Sequence, residues 1–263
     1  MRRSDLGLGV VALVVACGSH GDRAVDASLD GTVVADARVD AVPDAPHMVH
    51  GVAVADVVVA APGASGSGTG DPMRAVDGVR GGGSNMGGGD VYSMGYGSNN
   101  SITLAWSGGA LANGSGADFV VFENPFDEAG GGVFMDLIIV EVSRDGTTWR
   151  ALPYDYTNSI ENVYVPDPTK WVGFAGKTPV LLNIDTNPVD PFDPAAAGGD
   201  AFDLDDIAGS DSESAAIRAN GVNYVRLTSA PSQINPDTGA NFVHDSLANG
   251  ADIDGVYGRY VGM

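Results

Sequence analysis

Short strand-like runs of hydrophobic residues, some of them alternating with polar residues, predict a domain built of β-strands. The runs are bounded by Gly, Asn and Asp and cover residues 101–106, 117–122, 137–143, 147–152, 222–228 and 253–261. In the first run Ile102, Leu104 and Trp106 share one face, as expected from the two-residue period of a strand. No stretch shows the pattern of a long amphipathic helix. We therefore expect an all-β domain over residues 51–263, with an antiparallel β-sandwich as its architecture.

Residues 153–220 interrupt the strand pattern and predict a long, loop-rich insertion. Residues 185–211 within it hold eight Asp, which favours a solvated surface of Asx turns over a second ion site. Asp203 is placed to cap a short helical turn. Trp171 and Phe174 are expected to pin the insertion to the sandwich. The strand patterns place Trp149, like Trp106, in the core.

The charge balance narrows the classes of partner. The 263 residues include 34 acidic and 13 basic side chains, for a formal net charge of −21. A negative field of this size repels nucleic-acid phosphates, so we expect no nucleic-acid partner. The single cysteine, Cys17, excludes a disulfide scaffold and a zinc site built on cysteines.

The first 17 residues have the pattern of an export and anchoring signal. Arg2 and Arg3 precede an apolar stretch over residues 6–16, which is shorter than the roughly 20 residues that a membrane-spanning helix needs. The sequence Val-Val-Ala-Cys at 14–17 resembles a bacterial lipobox, in which the cysteine thiol receives a lipid. We expect residues 1–17 to be a lipoprotein signal ending at acylated Cys17. The alternative is ordinary cleavage after Ala16, which leaves a free thiol.

Residues 18–50 are rich in Ala, Val and Asp and contain no aromatic residue. This composition predicts a disordered acidic tether between the membrane and the folded domain. Calcium buffering by the tether is the weaker alternative. Gly18 after the cysteine gives no inner-membrane Asp signal, so the pattern favours an outer-membrane lipoprotein of the cell envelope.

Several segments of the folded part, taken in their order along the chain, resemble a known family. They are residues 114–124, 140–149, 171–176, 198–204, 224–227 and 252–256. As a set they resemble an uncharacterised family of bacterial surface lipoproteins from spirochaetes and myxobacteria, and they are similar to PEP-CTERM-type cell-surface proteins. More distantly, residues 71–78 and the 143–149 hairpin resemble discoidin domains. This resemblance implies a jelly-roll, galactose-binding-like sandwich that binds sugars or lipid headgroups through loops and often carries a structural calcium ion.

Acidic residues at the predicted strand ends make calcium the best-supported cofactor hypothesis. Calcium takes about 6–8 oxygen ligands from carboxylates, amides and backbone carbonyls. The candidate ligands are Asp77, Glu123, Asn124, Asp252 and Asp254. On a regular strand Asp252 and Asp254 point to one face while Ile253 points into the core. The alternative is that these residues hydrogen-bond turns and cap strands.

Signals of catalysis are weak. Residues 51–263 contain one histidine, His244, and no Gly-x-Ser-x-Gly sequence. We therefore expect a binding or adhesion module rather than an enzyme, with an extracellular glycan or a surface protein as its partner. Two rivals stay open: a structural envelope lipoprotein with no small ligand, and a polysaccharide hydrolase whose carboxylate pair only a structure would reveal.

Overall fold

The computed structural model describes residues 48–49, 52–97 and 100–263, and strands dominate over helices in them. These residues lie within one compact unit, Ala41–Met263. The predicted signal, the lipidation of Cys17 and nearly all of the acidic tether lie outside the described residues. No helix in the described part of the chain is long and apolar enough to cross a membrane.

Most strands belong to two five-stranded antiparallel sheets. In spatial order the first sheet consists of β1 (Met48–Val49), β2 (Val52–Val54), β16 (Gly255–Gly258), β6 (Phe119–Phe122) and β13 (Asp200–Phe202). The second consists of β10 (Trp149–Ala151), β9 (Ile138–Ser143), β14 (Tyr224–Ser229), β5 (Ser101–Ala105) and β3 (Val57–Ala60). The all-β, antiparallel prediction is confirmed at this level.

Smaller elements complete the fold. Three two-stranded sheets pair β11 (Asp155–Tyr156) with β12 (Trp171–Val172), β4 (Tyr92–Ser93) with β15 (Asp252–Ile253), and β7 (Phe126–Asp127) with β8 (Val133–Phe134). The α-helices are α1 (Pro194–Ala197) and α2 (Ser212–Asn220). The sequence pattern did not single out α2, although Asp211 caps it by accepting hydrogen bonds from Glu213 and Ser214 N–H groups.

The two large sheets share one hydrophobic core. Their contributions alternate along the strands, as in Ile102 and Leu104 of β5, Val225 and Leu227 of β14, and Phe119 and Val121 of β6. The intervening residues of β5 and β14 therefore face away from this core. Trp106 is buried here and donates from Nε1 to the carbonyl of Ala53 at 3.1 Å. This sheet-on-sheet packing is what the alternating sequence pattern predicts.

Residues 153–220 are loop-rich, as expected, but they are integrated into the fold. Strand β13 lies at the edge of the first sheet. Trp171 and Phe174 are fully buried in a separate cluster with Leu137 and Ile139, so they pin this segment against the β9 side of the second sheet. Asp203 accepts a hydrogen bond of 2.8 Å from the Asp205 N–H and caps a helical turn, as predicted.

Candidate functional site

Glu123 is the centre of a buried acidic cluster. It follows strand β6, and only 3% of its surface is exposed. Its Oε1 accepts a hydrogen bond of 2.7 Å from the backbone N–H of Asp252. Its Oε2 is buried and has no hydrogen-bond partner among the described residues. A buried carboxylate oxygen without a donor is costly, so this atom favours a proton or a cation.

Two further carboxyl groups interact with Glu123, and we call the three residues the Glu123 cluster. Asp136 is 5% exposed, and half-buried Asp252 has an unpartnered Oδ1. Burial raises the pKa of Glu123 well above its usual range, and the charges of Asp136 and Asp252 raise it further. Burial also raises the pKa of Asp136 and of Asp252. Within the described part of the chain, no Arg or Lys forms an ion pair with any of the three.

Polar and aromatic neighbours hold Asp136 in place. The Tyr96 hydroxyl donates to Asp136 Oδ1 at 2.5 Å, and the Tyr96 ring lies 4.5 Å from the ring of His244. Burial raises the pKa of Tyr96, which keeps the hydroxyl a donor. Gly176 has a φ of +81°, and a Cβ there would lie 2.3 Å from the backbone oxygen of Asp136. The chain at residue 176 therefore approaches the backbone of Asp136 this closely only because residue 176 is glycine.

Asn124 is next to the cluster, but its side chain hydrogen-bonds the Gly-rich loop at residues 81–89. Its Oδ1 accepts a hydrogen bond from the Gly88 N–H, and its Nδ2 donates to the Gly88 carbonyl at 3.2 Å. Its side chain also interacts with Asp252 and lowers the pKa of that carboxyl, against the larger effect of burial. The Gly-rich run at residues 81–89 is thus clamped by a side chain at the end of β6.

A second acidic cluster surrounds Arg80, and we call Arg80 with its carboxylates Asp77, Asp90, Asp185 and Asp254 the Arg80 cluster. Nη1 of Arg80 donates to Asp77 at 3.1 Å and to Asp90 at 3.2 Å. Its Nε donates to Asp185 at 2.9 Å. Asp90 also pairs with Arg74. Here the protein supplies its own cations.

Asp254 is the most buried member of the Arg80 cluster. It is 1% exposed, and its Oδ1 accepts a hydrogen bond of 2.9 Å from the backbone N–H of Arg80. Its Oδ2 has no hydrogen-bond partner among the described residues. Burial raises the pKa of Asp254 to about 8, and the charges of Asp90 and Asp77 act in the same direction.

The structure thus divides the five predicted calcium ligands between two places. Glu123, Asn124 and Asp252 lie together, whereas Asp77 and Asp254 interact with Arg80. Ile253 is buried in the shared core, as predicted. Asp252 and Asp254 separate because the regular strand is interrupted between them. β15 pairs with β4, and β16 then pairs with β6 and β2 of the first sheet.

Sequence reasoning missed Asp136. Its signal was an acidic residue in an otherwise apolar run, between Met135 and Leu137 and just before β9. An ionisable residue in such a position is buried with the run and needs a partner.

Trp149 was predicted in the core, and this prediction is wrong. It is half-buried on the outer side of the second sheet, where the Arg226 guanidinium lies 4.1 Å from its ring centre. The register pairs Trp149 with Ser143, on the same face of the sheet as Glu141 and Arg226, so the ring packs along a long polar side chain rather than between the sheets.

Within the described residues, no group of three or more His, Cys, Asp or Glu side chains is arranged to hold a metal ion. Calcium also takes amide and backbone oxygens, so the calcium hypothesis stays a prediction.

Comparison of the chain with protein-family models, curated proteins and solved structures found no match.

Proposed function

We propose that this chain is an exported, lipid-anchored cell-surface protein whose β-rich domain is a binding or adhesion module stabilised by calcium. The proposal of a calcium site rests on Oε2 of Glu123, which has no partner among the described residues and belongs to an almost fully buried side chain near other carboxylates. Such an atom requires either a proton or a cation. The export-signal pattern of residues 1–17 supports the surface role.

The chemistry of the Glu123 cluster suits calcium. Glu123, Asp136 and Asp252 supply hard carboxylate oxygens, which calcium prefers. Bound calcium offsets the repulsion among the three charges and ties together the end of β6, the segment before β9, and β15. Because calcium would bind these three side chains only in the folded chain, its binding would stabilise the folded state by mass action.

Burial of the cluster favours binding over hydrolysis. A polysaccharide hydrolase needs two carboxyl groups on either side of the scissile bond in an open groove. Glu123 and Asp136 are instead covered by their neighbours. A structural envelope lipoprotein without a small ligand is the remaining rival, and a ligand screen separates it from a binding module.

The membrane anchor of this proposal is a lipid on Cys17, which places the domain on the cell envelope, with the outer membrane as the favoured location. Growth with radiolabelled palmitate tests it. We expect the label in the wild-type protein and none in Cys17→Ser. A label-free wild-type protein contradicts the anchor.

We also propose the jelly-roll, galactose-binding-like form of the sandwich. Two five-stranded antiparallel sheets that share a core support it, as does the pairing of β16 with both β2 and β6, which are distant in sequence.

Thermal unfolding of the full chain tests calcium directly. At calcium about a hundredfold above its dissociation constant, binding adds about 2.7 kcal/mol. We expect the melting temperature to rise by about 5–10 °C and to fall again with chelator. An equal rise in magnesium, or none in calcium, contradicts a calcium site.

Glu123→Gln and Asp118→Asn are the matched variants. Asp118 is fully buried too, but its two oxygens accept hydrogen bonds of 2.7 Å from the Gly114 and Leu204 N–H groups. We expect Glu123→Gln to abolish the calcium effect and to be neutral or stabilising in chelator, because it removes a buried charge. Asp118→Asn keeps the calcium effect. If both variants respond to calcium as the wild type does, the ion does not bind at Glu123.

A further inference from the structure

The outer side of the second sheet carries a groove of about 320 Å³ that belongs to neither acidic cluster. Its floor is formed by the outward-facing residues of β9, β14 and β5, and its walls include Tyr154 and Pro62. A second groove, of about 340 Å³, shares Pro62, Ser101 and Arg226 with it and continues to Trp149 and Tyr224. The two form one continuous depression, which we call the sheet groove.

The strand register builds the centre of this groove. Arg226 of β14 lies directly opposite Glu141 of β9 on one side and Thr103 of β5 on the other. Its Nε and Nη2 donate to the two Glu141 oxygens at 2.8 Å each. The flat guanidinium also lies over the Trp149 ring. These contacts fix a planar polar unit beside an aromatic side chain.

This unit carries little net charge. Glu141 neutralises Arg226, while Nη1 of Arg226 makes no hydrogen bond within the described part of the chain. The unit thus offers a donor and carboxylate lone pairs side by side. A ligand hydroxyl both donates and accepts, so adjacent hydroxyl groups match this pattern.

Asn100 adds a polar side chain to the lining of the sheet groove. It is only 7% exposed and lines the sheet groove, and its Nδ2 is buried without a hydrogen-bond partner among the described residues. Buried amide N–H groups are nearly always bonded.

The groove is long and is lined by aromatic residues. Its residues on β14 run from Tyr224 to Thr228, a rise of about 13 Å along a strand. Tyr154, Trp149 and Tyr224 place aromatic side chains along its two halves. Aromatic surface with a few fixed polar groups is the usual composition of a small-molecule site.

We infer that the sheet groove binds a neutral oligosaccharide. This inference rests on the proposal of a binding module and names its ligand class and its surface, away from the Glu123 cluster. Neutrality follows from the internal Glu141–Arg226 pair and from the chain's net charge of −21, which repels acidic polymers.

Isothermal titration of the full chain tests the inference with neutral hexasaccharides (cellohexaose, maltohexaose, laminarihexaose and mannohexaose) and with anionic hexagalacturonate. We expect at least one neutral probe to bind and hexagalacturonate to bind more weakly. Trp149→Leu and Arg226→Lys should each weaken the binding by about tenfold or more. Arg150→Lys is the matched control, because Arg150 is on the same edge strand and pairs with Asp211 at 2.7 Å outside the groove.

The outcomes separate this inference from the broader proposal. Circular dichroism confirms that each variant is folded, and Glu141→Gln supplies a nearly isosteric second test. If a probe binds and neither Trp149→Leu nor Arg226→Lys weakens its binding, the sheet groove is not the binding site, although the chain is still a binding module. Preferred binding of hexagalacturonate overturns the neutral ligand class. Binding of no probe overturns the inference and favours the structural lipoprotein, while the calcium effect on melting is judged separately.

Discussion

The Glu123 cluster and the Arg80 cluster show two ways in which this protein accommodates groups of acidic side chains. Around Arg80, guanidinium groups interact with Asp77, Asp90 and Asp185. Around Glu123, the charges of Asp136 and Asp252 raise the pKa of a third carboxyl group, and no Arg or Lys within the described residues pairs with any of the three. Both clusters are held by the same short segment, since Asp252 belongs to one and Asp254 to the other. Arginine side chains thus offset the acids around Arg80, although Oδ2 of Asp254 has no partner among the described residues, whereas the proposed calcium ion would offset the acids around Glu123.

Arg80→Met should produce the largest effect on this contrast. It removes the cation that pairs with Asp77, Asp90 and Asp185, and because solvent screens the exposed Asp77 and Asp185 we expect the free energy of unfolding to fall by about 2–3 kcal/mol. Urea denaturation measures the loss. Calcium should now stabilise the variant more than the wild type, because the substitution leaves Asp77 and Asp185 without their arginine partner while Asp90 keeps Arg74.

Arg80→Lys is the control for that variant. Lysine keeps the charge but cannot reach three carboxylates with a planar fork, so the loss should be roughly half as large. A loss equal to that of Arg80→Met would mean that geometry matters and charge does not.

The pH dependence of the folding stability tests how burial affects a carboxyl group, Asp118, that needs no metal ion. Burial raises the pKa of Asp118 from 3.8 to about 6. The folded state therefore holds this proton more tightly than the unfolded chain, and stability falls as pH rises from about 4 to about 6, then stays level. We expect the wild type to lose about 2–3 kcal/mol relative to Asp118→Asn over this range. Urea denaturation of both proteins at pH 4, 5, 6 and 7 measures it, and parallel curves contradict the shift.

Tyr96→Phe should have the smallest effect. It removes the hydroxyl that donates to Asp136, and a hydrogen bond to a buried carboxylate is worth about 1–2 kcal/mol. We expect this loss in chelator by urea denaturation. Tyr260→Phe is the matched control, because its hydroxyl bonds the Ser115 carbonyl at 2.9 Å on the exposed surface and should cost less. Equal losses in the two variants would show that Tyr96 does not support the cluster.

Much of the fold could be predicted because it depends on local patterns. The alternation in residues 101–106 and 222–228 placed β5 and β14, and the Asp145-Gly146 turn placed the β9–β10 hairpin. The capping of the 204–206 turn by Asp203 is also a local effect. Trp149 was misplaced because a strand pattern does not reveal which face of the strand lies against the core.

The candidate sites could be predicted only in part. The sequence brought Glu123 and Asp252 forward as acids at strand ends, but their contact spans 129 positions of the chain. Asp136 joins them from a third segment. The Arg226–Glu141 pair in the sheet groove likewise depends on the register between β9 and β14, which alternation alone leaves open.

The sequence by itself determined an acidic, β-rich protein, since composition and two-residue periodicity are properties of short stretches of chain. Only the tertiary structure decided which acids meet a cation and which meet one another. That choice follows from the pairing of β15 and β16 with different sheets, which directs Asp252 and Asp254 to different surroundings. Burial and long-range contact set the energies of these carboxylates, and neither is encoded by a residue's immediate neighbours.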